Sequence, residues 1–139
     1  MPGTREDPKA FVRRYLQEVF SEGNADALGG FVAGEAFTAH VMELLTRWRT
    51  AFPDLHIEVR GVLVDGDRVV TEERMTGTHA GAYESPWLGS VPATGRTFEW
   101  DRIAIRDLAN GRFVEGYWKG EELELFKQLG VPVHTESEA

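Results

Sequence analysis

Residues 96–118 read Arg-Thr-Phe-Glu-Trp-Asp-Arg-Ile-Ala-Ile-Arg-Asp-Leu-Ala-Asn-Gly-Arg-Phe-Val-Glu-Gly-Tyr-Trp. Asn110-Gly111, flanked by two apolar-rich runs, is one of the strongest short-range signals for a β-hairpin. The first arm, Arg96 to Arg106, alternates large and polar groups; the second, Arg112 to Trp118, is rich in aromatic and β-branched residues. One face of this hairpin must be covered. Its register stays open: a two-residue loop sets Ala104 opposite Tyr117, and a three-residue loop with a glycine bulge sets it opposite Gly116.

Working outward from the hairpin, Arg68 to His79 and His56 to Val64 alternate with period two and join through Asp65-Gly66-Asp67. Between them and the hairpin, Gly81 to Gly95 reads as irregular. Upstream the period is helical. Asp7-Pro8 reads as N-cap and first helical residue, with Phe11, Tyr15, Leu16, Val19 and Phe20 on one side and Glu22-Gly23 as the stop. Asn24 caps a short second helix carrying Leu28, Phe31 and Val32. A third, marked by Phe37, Val41, Leu44, Leu45, Trp48 and Phe52, stops at Pro53. Downstream, Glu121 to Leu129 closes the chain as a short amphipathic helix with Gly130 as its C-cap and Pro132 beyond. Helices followed by an antiparallel meander predict an α+β fold, with helices covering one face of a curved four-stranded sheet. The expected single domain spans 1–139, with 1–7 and 133–139 frayed.

With 139 residues the chain has one domain's worth of core, and its net charge of −8 excludes the basic stripe that nucleic-acid binding needs. On charge alone, a small neutral or cationic ligand fits best. The absence of cysteine excludes a disulfide framework and a thiolate nucleophile. His40, His56, His79 and His134 lack metal-ligand spacing, and neither a phosphate loop nor a Gly-x-Ser-x-Gly elbow is present. No apolar run reaches membrane-span length and the first seven residues are too polar for a signal peptide, so the expectation is a soluble cytoplasmic protein without membrane or nucleic-acid partners.

Six stretches occur in order at fitting spacings: Ala51-Phe-Pro-Asp-Leu55, Asp67-Arg-Val-Val70, Gly77-Thr-His79 with Gly81, Pro92-Ala-Thr-Gly-Arg96, Asn110-Gly-Arg112 and Gln128-Leu-Gly130. Together they resemble the SnoaL-like polyketide cyclase family, within the nuclear-transport-factor-two-like superfamily, from about Phe11 to Gly130. The resemblance implies a cone-shaped α+β barrel, a homodimer, a small-molecule pocket between sheet and helices, and catalysis with no metal or organic cofactor. Two departures stand out. Family members carry a strand with an acidic residue and a histidine after the second helix, whereas here Phe31-Val-Ala-Gly34 leads at once into the third helix. The family's acid/base positions on the last two long strands correspond here to Ala104, Gly116 and Trp118.

The remaining candidates follow from strand alternation and that resemblance. Val69, Thr71, Glu73, Met75, Gly77 and His79 share one strand face, which the resemblance turns inward. Glu73 would then be a desolvated carboxyl of raised pKa, a general base; the other reading has it facing water beside Glu72 and Arg74. His79 either polarises a substrate carbonyl or holds the turn after its strand. Arg102, sharing a face with Trp100 and Ala104, either offers donors to an oxyanion or faces solvent, and Asp101 points the opposite way. Trp48, Trp100, Tyr117 and Trp118 either stack a planar ligand or fill the core. Trp48, Trp100 and Trp118, with Met75, Ala104 and Gly116, define a substrate-binding set. Tyr83 and Trp87 add a lid, unless Trp87 plugs the gap left by the missing strand. The leading functional reading is an isomerase- or lyase-type enzyme on a carbonyl-rich polyketide-like molecule, working through an enolate with Glu73, His79 and Arg102 as catalytic groups. A cofactor-free hydroxylase and a non-catalytic binding or dimerisation module are the alternatives.

Overall fold

The computed structural model describes residues 6–85 and 88–131. Helix α1, Pro8–Tyr15, starts where Asp7 accepts a hydrogen bond from the Lys9 backbone, and Glu6 is ion-paired with Arg14. Glu6 and Asp7, the described part of the segments expected to fray, are both exposed. The remainder of the segments expected to fray, and Pro132, lie outside the described residues. A π-helical turn, Leu16–Ser21, extends α1 and buries Leu16, Val19 and Phe20. A 3-10 segment, Ala25–Gly30, follows, but Asn24 makes no side-chain cap to it. Helix α2, Glu35–Ala51, buries Val41, Leu45, Trp48 and Ala51 along one stripe, the 3.6-residue periodicity of the sequence made physical.

Strands β1 (His56–Asp65) and β2 (Arg68–Thr78) form the first antiparallel pair. The segment expected to be irregular contains a small hairpin, β3 (Tyr83–Ser85) with β4 (Gly89–Val91). Strands β5 (Thr97–Ala109) and β6 (Arg112–Gly120) then complete a sheet of order β1-β2-β5-β6, and helix α3, Glu122–Leu129, ends in left-handed Gly130. Among the described residues the sheet is open, with β1 and β6 as edges, so the expected barrel is not closed; helices cover the inner face instead.

Asn110 and Gly111 both have positive φ, 53° and 81°, as a two-residue hairpin turn of the primed kind requires. Neither expected register holds, however. Leu108 pairs with Phe113 while Asp107 pairs with Glu115, so Val114 is an extra residue and Ala104 lies opposite Trp118. The cause lies across the molecule. Phe113 N–H donates to the Phe31 carbonyl and its own carbonyl accepts from Ala33 N–H, which draws its backbone out of the ladder. Those bonds form one parallel bridge between Val32 and Phe113, where a strand was expected to be missing. The fully buried Phe113 ring then packs on Phe11 and Tyr15, with centroids 5.2 and 5.3 Å away.

Candidate active site

Alternation along β2 turns Thr71, Glu73 and Met75 towards the helices, and alternation along β5 does the same for Trp100, Arg102, Ala104 and Arg106. The ladder sets Glu73 opposite Arg102 and Thr71 opposite Ala104. Glu73 and Arg102 side chains are 0% and 2% exposed, a burial that charged groups tolerate only when paired. Glu73 Oε1 accepts a hydrogen bond from Arg102 Nε at 2.8 Å, and Arg102 Nη2 is ion-paired with the same oxygen at 2.8 Å. Its Oε2 accepts from Arg106 Nη1 at 3.0 Å and from the Thr71 hydroxyl, which itself accepts from Arg106 Nη1 at 2.9 Å.

This geometry corrects the raised pKa expected of Glu73. Burial does push the carboxyl up, but Arg102, Arg106 and the Thr71 hydroxyl outweigh it and hold the group down at about 2. A carboxylate so weakly basic, with both oxygens taken, positions its neighbours rather than accepting protons. Burial lowers the pKa of Arg102, with Glu73 opposing, yet a guanidinium stays charged in proteins. Arg102 also lies against two indoles that meet edge to face, its Cζ 4.7 Å from the Trp48 ring centre and 5.4 Å from that of Trp118.

Above this network lies a cavity of about 200 Å³. Its wall comes from Tyr15 of α1, Phe20, Phe37, His40, Val41, Leu44 and Trp48 of the following helical segments, Arg102, Ala104 and Arg106 of β5, and Gly116, Tyr117 and Trp118 of β6. Burial raises the Tyr15 phenol to about 12 despite the opposing Arg106 and Arg102, so it remains protonated at neutral pH. Arg102 Nη1 is buried without an acceptor among the described residues. Such a donor, fixed by its two pinned sister nitrogens, suits an oxygen that gains negative charge during reaction.

Of the residues singled out from sequence, Trp48, Arg102, Ala104, Gly116, Tyr117 and Trp118 meet on this wall, with Glu73 directly behind Arg102. The others do not. His79 is fully buried beside Phe52, its Nδ1 accepting from the Thr94 backbone and sharing a hydrogen bond with the Thr94 hydroxyl. Burial lowers its pKa against a pull from the Val91 and Gly81 backbone, which fits the turn-holding role. Met75 and Tyr83 are core residues, the Tyr83 ring stacking on Phe52 at 5.8 Å. Trp100 packs edge-on against Trp118 and donates from Nε1 to the Glu121 carbonyl, one layer away from the cavity. Asp101 faces outward and pairs with Arg74. Trp87 lies outside the described residues, and none of the described residues between Gly81 and Gly95 lines the cavity.

Sequence reading missed Arg106, Tyr15, Phe37 and His40. Arg106 was within reach, because it shares the β5 face of Arg102 and Ala104. Tyr15 and Phe37 looked like ordinary core positions, and His40 offered no signal beyond its residue type. Among the described residues no three His, Cys, Asp or Glu side chains group so as to hold a metal, and no helix is long and apolar enough to cross a membrane.

The comparisons with known proteins agree with this architecture. TsrD from Streptomyces laurentii superposes with a TM-score of 0.75 at 22% identity, over 91% of this chain and 99% of that one. A candidate polyketide cyclase from Acidithiobacillus ferrooxidans gives 0.73 at 25% identity, over 88% and 93%. AclR, named as a candidate hydroxylase from Streptomyces galilaeus, gives 0.70 at 21% identity, over 94% and 85%. No curated protein gives a significant match. The model of the SnoaL-like polyketide cyclase family matches residues 10–129, nearly the whole described fold, and the chain belongs to that family.

Proposed function

We propose that this protein is an enzyme that cyclises or isomerises a carbonyl-rich, ring-bearing small molecule through an enolate, within the cavity between α1, α2 and the inner faces of β5 and β6. The observation that carries this reading is the buried, acceptorless Nη1 of Arg102 on an aromatic wall. As a carbon-bound proton leaves, its electron pair moves onto the carbonyl oxygen, and Arg102 Nη1 donates to that oxyanion. The enolate carbon then attacks a second carbonyl carbon to close a ring, or is reprotonated elsewhere to complete an isomerisation. Histidine is the side chain that exchanges protons near neutral pH, and His40 is the histidine on this wall, exposed at its mouth, so it takes the proton-transfer role first sought in Glu73. The resemblance further supports action without a resident cofactor.

The test is Arg102→Lys, which keeps the charge and loses the planar fork. On a panel of aromatic β-polyketones, kcat is expected to fall about 10²- to 10³-fold, the effect of removing one oxyanion donor. Parental turnover in a variant that melts as a folded protein would sink the assignment. One observation favours a second reading: the wall carries no carboxylate and a single imidazole. A site so poor in acid/base groups also suits a hydroxylase in which an electron-rich substrate carbanion reacts with dioxygen itself. Undiminished turnover under strictly anaerobic conditions excludes it.

The assembly proposed is a homodimer. On the outer face of the sheet Leu63, Val70, Ile105 and Tyr117 stand in one cross-strand row, flanked by Ile103. Leu63, Ile103 and Tyr117 are more than half exposed, an apolar surface that a second copy of the chain would cover.

A further inference from the structure

We infer that the ligand of this cavity carries a formal negative charge, a carboxylate or ionised phenol on a one- or two-ring aromatic body, seated against Arg102 and Arg106. The inference rests on the cavity being the substrate site, and it reverses what the chain's net charge of −8 suggests. The charge that a buried ligand meets is local. Two guanidiniums stand against one carboxylate in the network, which leaves one positive charge uncompensated, and among the described residues no Asp or Glu lines the cavity to balance it. Glu73 is also geometrically withdrawn. It is fully buried behind the guanidiniums and absent from the wall, so a ligand meets donors and not the carboxylate.

Both guanidiniums belong to residues that line the cavity and keep donors that Glu73 does not use. Arg102 Nη1 is buried without an acceptor among the described residues, and Arg106 commits Nη1 to Glu73 and Thr71. Leaving the Arg102 donor unmade in a buried site is costly, and an anionic oxygen satisfies it better than a neutral one. The remaining surfaces include the rings of Tyr15, Phe37, Trp48 and Trp118. Size sets the body of the ligand: a dry cavity of about 150 Å³ holds benzene, so about 200 Å³ admits one or two rings.

The probes are 2-naphthoate and its neutral isostere 2-naphthamide, titrated into the full chain and followed by calorimetry. The naphthoate is expected to bind about ten- to a hundred-fold more tightly, the worth of a hydrogen bond to a charged group. Glu73→Gln keeps the shape of the network while raising its surplus from one charge to two, and it should tighten naphthoate further without changing naphthamide. Arg106→Met should erase the preference. Equal binding of the two probes, or a Glu73→Gln variant that melts cooperatively yet leaves the naphthoate affinity unchanged, would overturn the inference. The two readings fail separately. Turnover confined to neutral polyketones would overturn the anionic ligand and leave the enolate chemistry standing, whereas charge-selective binding with parental turnover in Arg102→Lys would do the reverse.

Discussion

Glu73 is held by two arginines and a threonine, so its ionised form belongs to the folded state much more than to the unfolded chain. Its carboxyl titrates at about 2 when folded, against the ordinary 4.5. A depressed folded pKa stabilises the protein above the unfolded value, and that contribution is lost as pH falls through the window between about 4.5 and 2. Denaturant titrations across this window should show the parent losing stability steadily with acid, while Glu73→Gln, less stable at pH 7, should show a flatter dependence. Parallel pH profiles for the two would show that the network does not hold the proton off. The inward placement of Glu73 was legible from alternation along β2. Its protonation was not, because Arg102 and Arg106 lie 29 and 33 residues further on, and only the β2–β5 register brings them within reach.

Among the elements, β6 combines the most and the least readable features of the chain. Asn110-Gly111 announced its turn, since both residues need positive φ. The extra residue at Val114 was invisible, because what creates it is the backbone of Phe31 and Ala33, about eighty positions earlier. Simple alternation from inward Phe113 would have turned the Tyr117 side chain inward; the bulge turns Gly116 and Trp118 inward instead and leaves Tyr117 more than half exposed at the cavity's edge. Glycine at the end of β6 is set by packing. A Cβ at Gly120 would lie 2.7 Å from Trp100 Cζ2 and 3.1 Å from Arg102 Cβ, and the indole cannot swing away without breaking its bond to the Glu121 carbonyl. Gly120→Ala should therefore destabilise by about 1–3 kcal/mol, as overpacking does. Gly29→Ala, where a Cβ meets nothing within 4 Å, should change the melting temperature little. Equal melting temperatures for the two variants would refute the packing argument.

For the whole molecule, the order of helices and meander was legible because each boundary carried its own local signal, whereas the open sheet and the cavity depend on how the layers meet. The outer face supplies the next prediction. The protein should scatter light as a dimer at micromolar concentration, and Leu63→Glu with Ile103→Glu should convert it to a folded monomer, since both residues are more than half exposed within one copy. A parent that is monomeric, or a dimer indifferent to both changes, would place the interface elsewhere or nowhere.

The buried Glu73–Arg102–Arg106 cluster has a last consequence, a tension between durability and purpose. Three charges are removed from water and only two cancel, an arrangement that apolar side chains of similar volume often match or improve upon by about 1–4 kcal/mol. The combined replacement Glu73→Met, Arg102→Leu, Arg106→Leu should therefore melt no lower than the parent, and above it if the new side chains pack well, while losing turnover and anion binding altogether. Loss of cooperative unfolding in that variant would mean that the charges specify the fold; survival would mean that selection keeps them at the expense of ruggedness, for what they do to a ligand.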